Sequence, residues 1–156
     1  MRMAQGRLEI GTAGQGFYEV TEKAAKWVAE QGIATGLLTL FVRHTSASLL
    51  IQENAAPEVR TDLAEFLARL APEDPARWRH SDEGSDDMPA HARAALLPTD
   101  LSIPVDRGRL SLGTWQGFIS SSTGVGPIAG RSSCTWLAND GVVGTRPHRN
   151  VPLEAD

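Results

Sequence analysis

The chain has 156 residues, 41% of them apolar, which is enough for one buried core, and it reads as a single domain over residues 1–156. Its net charge of −4 comes from 15 basic and 19 acidic residues scattered along the sequence, with no basic stripe to track phosphodiesters, so nucleic acid is excluded as the expected partner. No segment approaches the roughly 20 consecutive apolar residues of a membrane span, the N-terminus lacks the apolar run of a signal peptide, and Cys134 stands alone; the expectation is a soluble, cytoplasmic, reduced protein without a membrane partner, a disulfide or a cysteine-rich zinc site.

Taken in chain order, "RLEI" (residues 7–10) and "FYEV" (17–20) alternate apolar and polar positions on either side of "GTAGQG", the pattern of two short strands joined by a Gly-rich loop. Thr21 is placed to cap a helix over "EKAAKWVAEQ", where Ala24, Trp27, Val28 and Gln31 recur at helical spacing before Gly32 supplies a stop. "TGLLTLFV" predicts a central strand, followed by a short turned segment at His44 and a second strand within "RHTSASLLIQE". "APEVRTDLAEFLARLAP" carries the clearest helix signal. Pro57 suits its first turn, Val59, Leu63, Phe66, Leu67 and Leu70 form one apolar stripe expected to pack on the core, and Pro72 lies just beyond its end. Residues 73–87 are polar and irregular, whereas "MPAHARAALL" reads as a short helix with Asp87 near its cap and Pro89 in its first turn. "LSIPV", the tight "DRG" turn and "RLSLGTWQG" read as a hairpin. Residues 117–156 form an atypical tail rich in Gly, Ser and Pro with no sustained period, and they are expected to be irregular beyond Ile119.

The chemistry concentrates in "HSDEGSDDMPAH" (80–91), where His80 and His91 flank Asp82, Glu83, Asp86 and Asp87. Neutral imidazole and carboxylate are ligands for Zn²⁺ and related divalent ions, and three protein ligands with an open position make a catalytic rather than a structural site. His44 is the third candidate histidine. Asp87 and His91 stand four apart, so at the start of a helix they share one side, where the carboxylate could orient the imidazole. The helix N–H groups there could instead hold a phosphate, and each histidine by itself could be an ordinary surface residue. "HTSASLL" places Ser46 near His44, but catalytic triads are assembled in space rather than in sequence, so serine hydrolysis is discounted. "LGTWQG" sets Thr114, Trp115 and Gln116 at a strand end, suited to gripping a flat ring by stacking and hydrogen bonds, or else to filling the core with the indole.

"FVRHTSASLLIQENAAPEVRTDL", "WRHSDEGSDDMPAH" and "GRLSLGTWQG", in this order and over residues 7–117, resemble the YjbQ family of small bacterial and archaeal proteins, some of which carry the name secondary thiamine-phosphate synthase. The resemblance implies an α+β fold of antiparallel sheets layered with helices, a homotrimer, and a polar pocket for a small-molecule substrate. In that pocket His44, His80 and His91 would hold a divalent metal, zinc or magnesium, or an anion. Glu53, Asp87, Ser46 and the Thr114–Trp115–Gln116 group would lie close by as catalytic or substrate-binding residues. The implied activity is the joining of an aminopyrimidine pyrophosphate to a thiazole phosphate. The rival readings are a metal-dependent hydrolase or lyase acting on another small phosphorylated or carbonyl compound, and a non-catalytic trimer that binds a metal or small molecule. In the family "LGTWQG" continues as a strand of the type "IYLFEHR", a basic turn and a further apolar strand, from which this chain departs. Back-translated with GC-rich codons and read from the third base of each, "FISSSTGVGPIAGRSSCTWLA" becomes approximately "(V/I)YLFEHRRRPHRRQVVVHLAG". The expected account of the tail is therefore a single-base loss near the Gly117 codon, with the Val-rich strand and a Glu near Ser122 lost, the oligomer weakened and activity lowered.

Overall fold

Alternating burial along the strands fixes which side of each faces the core. In the computed structural model, which describes residues 2–122 and the backbone of a strand at Ser132–Asn139, β3 (Thr35–Val42) turns Leu38, Leu40 and Val42 inward and leaves Leu37 and Phe41 largely outside. β5 (Asp100–Asp106) does the same with Ile103 and Val105. β4 (Ala47–Glu53) contributes Ala47 and Leu49, and β7 (Gln116–Ser122) contributes Phe118. These side chains meet Ala24 and Val28 of α1 (Thr21–Gln31) in one core.

Among the described residues the strands form two antiparallel sheets. One has five strands in the order β1-β8-β3-β5-β6 and the other three in the order β2-β7-β4. Here β1 is Met3–Ile10, β2 Gly16–Glu19, β6 Arg109–Leu110 and β8 Ser132–Asn139. With α2 (Pro57–Leu70), α3 (Asp87–Leu96) and a single 3-10 turn at Pro75–Arg77, the fold is α+β, as the sequence indicated. Among the described residues no helix is long and apolar enough to cross a membrane.

Several local expectations hold for the reasons given. Gly32 closes α1 in the left-handed region at φ 63, and the "DRG" turn places Arg107 at φ 49 and Gly108 at φ 74, the double positive φ that matches the twist of a two-residue hairpin. The two strands joined by "GTAGQG" are present as β1 and β2, which lie in different sheets. Other expectations are corrected. Thr21 does not cap α1; its Oγ1 accepts the Phe118 N–H at 2.8 Å and so ties the helix start to β7. The "RLSLGTWQG" hairpin stops at Leu110, after which the chain leaves for the other sheet. Of the α2 stripe only Leu67 is buried; Phe66 and Leu70 are about half exposed, so this helix does not seat its whole apolar face on its own core.

The largest correction concerns the tail. β7 runs as a regular strand through Ser122 between β2 and β4, and β8 lies between β1 and β3, with registers from Met3–Asn139 to Ile10–Ser132 and from Leu37–Asn139 to Val42–Cys134. The irregularity expected beyond Ile119 is therefore not found at these two segments. Strand pairing uses backbone N–H and C=O groups, and two neighbours each offering an unpaired edge recruit a strand despite the weak side-chain pattern of "SSCTWLAN". Residues 123–131 and 140–156 lie outside the described residues.

Candidate functional site

The loop before α3 turns at Gly84, φ 122, and the Asp87 N–H bonds to the Gly84 carbonyl, so the first turn of α3 presents Asp87 and, one turn on, His91 on the same side. The preceding loop is anchored by the Trp78 indole N–H, which donates to the Pro72 carbonyl at 2.9 Å, and it returns His80 to this helix end. His80 Nε2 lies 2.7 Å from Asp87 Oδ2, and His91 Nε2 lies 3.4 Å from Asp87 Oδ1. The two imidazoles lie side by side, with ring centroids 6.0 Å apart and planes 29° from parallel.

The other nitrogen of His91 faces the β3–β4 loop. Its Nδ1 is 3.2 Å from the Thr45 carbonyl oxygen and 3.5 Å from Ser46 Oγ. A ring N–H donated to that carbonyl fixes the tautomer and leaves Nε2, on the Asp87 side, with its lone pair free. His80, Asp87 and His91 thus each bring one ligand atom to within 4.8 Å of the others. The short His80–Asp87 contact lacks the alignment of a hydrogen bond, and the buried Asp87 Oδ2 has no hydrogen-bond partner among the described residues. Two imidazoles and a carboxylate with ligand atoms this close together are a donor set that fits a divalent transition metal.

The structure regroups the residues singled out from the sequence. His44 is not in the cluster: its Nδ1 accepts the Ser46 N–H at 2.9 Å, one residue away from the contacts to His91, and the third member of the cluster is Asp87. Ser46 is at the site, between His44 and His91. Glu53, Thr114, Trp115 and Gln116 are not. β4 and β7 pair with Ala47 opposite Ser122 and Glu53 opposite Gln116. The histidines sit beyond the Ala47 end, and Glu53 lies six strand steps away, about 20 Å at about 3.3 Å each. At that far end Trp115 is 67% exposed, which excludes the core role, and the loop is held by Asn54 N–H to the Trp115 carbonyl and by Gly113 N–H to Gln116 Oε1. The single pocket expected from the resemblance is, within one chain, two separate polar groups.

Sequence reasoning missed Arg93, which is only 2% exposed, with one guanidinium nitrogen donating to the Ala71 carbonyl at 2.7 Å. Burial lowers its pKa, against the opposing pull of Glu73 and Asp86. The one available signal was the flanking alanines of "HARAALL", which put a cation on a face of small residues.

Comparison with known proteins follows the same outline. The family described as UPF0047 protein YjbQ-like matches residues 6–122. The chain is 57% identical over 116 residues to the UPF0047 protein sll1880 of Synechocystis, covering 74% of this chain and 79% of that protein. It is 41% identical over 115 residues to the UPF0047 protein YjbQ of Escherichia coli O157:H7, covering 73% and 83%. Among solved structures, the conserved hypothetical protein TT1486 of Thermus thermophilus superposes with a TM-score of 0.72 at 36% identity over 85% of this chain and 97% of that one. A YbjQ-like protein of unknown function from Sulfolobus solfataricus P2 has a TM-score of 0.79 over 88% of this chain and 96% of that one, a likeness of fold at 22% identity. That structural coverage exceeds what residues 1–122 can supply, so the shared fold reaches beyond the sequence match. In sequence over residues 6–122 and in fold over most of its length, the chain belongs to the YjbQ-like UPF0047 family.

Proposed function

We propose that this protein holds a divalent transition metal through His80, Asp87 and His91 and uses it on a small phosphorylated or carbonyl compound in the cytoplasm. The observation that carries this reading is the buried Asp87 Oδ2, 2.7 Å from an imidazole nitrogen yet without a hydrogen bond among the described residues. Two imidazoles favour zinc over magnesium, which prefers oxygen donors. Such an ion, when bound, polarises a phosphoryl or carbonyl oxygen and acidifies a bound water. Ser46 and His44 beside the cluster offer a hydroxyl and an imidazole to orient the substrate. The joining of an aminopyrimidine pyrophosphate to a thiazole phosphate is the specific reaction to assay first, read as pyrophosphate release with and without chelator. Hydrolysis or elimination on other small phosphate esters is the alternative, and metal binding without turnover marks a binding protein.

Zinc titration in competition with a chromophoric chelator tests the ligand set. His80→Ala, Asp87→Ala and His91→Ala are each expected to weaken binding at least about 100-fold, beyond the cost of losing an orienting partner. His44→Ala should stay within a few fold. Unchanged binding in the Asp87 and His91 variants would refute the assignment. Because protons compete with metal for the imidazole lone pairs, affinity should also fall as the pH is lowered from about 7.5 to about 5.5.

The half-exposed Phe66 and Leu70 on α2 support the proposed homotrimer, since an apolar helix face left uncovered by its own core calls for a second copy. Light scattering at micromolar concentration should give three times the chain mass, and Phe66→Glu should lower it; a wild-type monomer would remove this part of the reading.

A further inference from the structure

Arg93 lies on the side of α3 opposite His91, two residues and about 200° of helical turn away, and on the same side as Asp86, which stands about two turns back. Its Nη2 donates to the Ala71 carbonyl at 2.7 Å and stands 3.8 Å from Glu73 Oε1, while Asp86 adds a second negative charge near the guanidinium. Ala71 and Glu73 begin the loop between α2 and α3, and Asp86 ends it. One buried side chain therefore meets both ends of the loop that carries His80.

Stability alone does not account for a cation at this place. Phe17, Ala64 and Leu67 lie around it, and an apolar side chain of similar size among them would contribute about as much as the ion pair, because desolvating the guanidinium offsets its attraction to Glu73 and Asp86. What an apolar residue lacks is direction. The bond from Arg93 sets the Ala71 carbonyl, at the C-terminal cap of α2, against α3. Just beyond it, the Trp78 indole N–H donates to the Pro72 carbonyl and folds the chain back on the same end of the loop. His80 then meets Asp87 at 2.7 Å. The His80 side chain is 44% exposed, so packing around the imidazole does little to set its place, and the neck of the loop does more.

We propose that Arg93 is a positioning residue for the site: by bonding Ala71 and drawing in Glu73 and Asp86 it closes the neck of the 72–86 loop and so sets His80 against Asp87. The consequence at the metal rests on the reading of His80 as a ligand, whereas the clamp rests on the loop geometry alone. Arg93 acts through His80 and touches neither ion nor substrate.

Metal affinity and hydrogen exchange test this. In zinc titration against a chromophoric chelator, Arg93→Met should bind at least about 10-fold more weakly than the wild type, the cost of losing a supporting partner. In the His80→Ala background the same substitution should cost no more than a few fold, because the ligand through which Arg93 acts is gone. The ligand-field bands of bound cobalt(II) should shift in Arg93→Met toward those of His80→Ala. In the metal-free proteins, backbone amides of residues 72–86 should exchange faster in Arg93→Met, with those of β3 unchanged. If Arg93→Met does not fold, Glu73→Lys, at an exposed position, sets a like charge beside Arg93 and should show the same pattern. An equal loss of affinity in both backgrounds, or no loss in either, overturns the inference, as does unchanged exchange of the loop. A wild-type protein that binds no zinc removes the metal reading instead, and the exchange result then decides for or against the clamp by itself.

Discussion

Stopping the chain after Ser122 is expected to abolish folding. The tail reads in sequence as atypical and irregular, yet β8 lies inside the five-stranded sheet, between β1 and β3. Its removal would strip β1 of its only described neighbour in the sheet and leave β3 an open edge along Leu37–Val42. Ile10 and the partly buried Ala4 and Leu8 would lose their place over the core, and an unpaired run of strand edge would be offered to other chains. A loss of this kind exceeds the total stability of about 5–15 kcal/mol typical of a domain. Circular dichroism and solubility of the truncated chain check it: a soluble chain with cooperative melting near that of the full protein would show that β8 contributes nothing.

Restoring the shifted reading over residues 118–138 is expected to stabilise the protein by about 1–3 kcal/mol, the gain at position 120 being offset in part by the smaller Val or Ile in place of the buried Phe118. Ser120 is fully buried on the same face of β7 as Phe118, and its hydroxyl has no partner among the described residues. An orphaned buried hydroxyl costs about 1–3 kcal/mol, and burying a leucine in its place, as the shifted frame provides, contributes about 1.5–3 kcal/mol. The shifted frame also sets an aromatic residue at position 121, beside Arg93. Differential scanning calorimetry of the two chains decides the matter together with resequencing across the Gly117 codon. An intact reading frame in the gene, with no gain in Tm for the altered chain, would leave the tail as a natural divergence.

Much of the fold was legible because local rules and tertiary structure agree there. The strand over "TGLLTLFV", the Gly32 stop and the Arg107–Gly108 turn follow from local composition and backbone sterics alone. Sheet membership was not legible, since a strand's pattern says which face is buried but not which neighbour supplies its hydrogen bonds. The α2 stripe shows the same limit: its period is correct, but Phe66 and Leu70 find no surface within the chain to cover them.

The candidate site divides along the same line. Sequence by itself determined that Asp87 and His91 share one side of a helix start, because four residues make about one turn. It also placed His80 within reach through a short polar loop, and it identified the family from motifs whose order and spacing survive over residues 6–122. Only the tertiary structure decided that Asp87 replaces His44 in the cluster, that the Thr45 carbonyl orients His91, that Glu53 and Trp115 stand at the far end of β4, and that Arg93 is buried. The physical reason is range: helical spacing fixes relations within a turn, whereas the meeting of the β3–β4 loop with α3 depends on how two sheets and three helices close around one core.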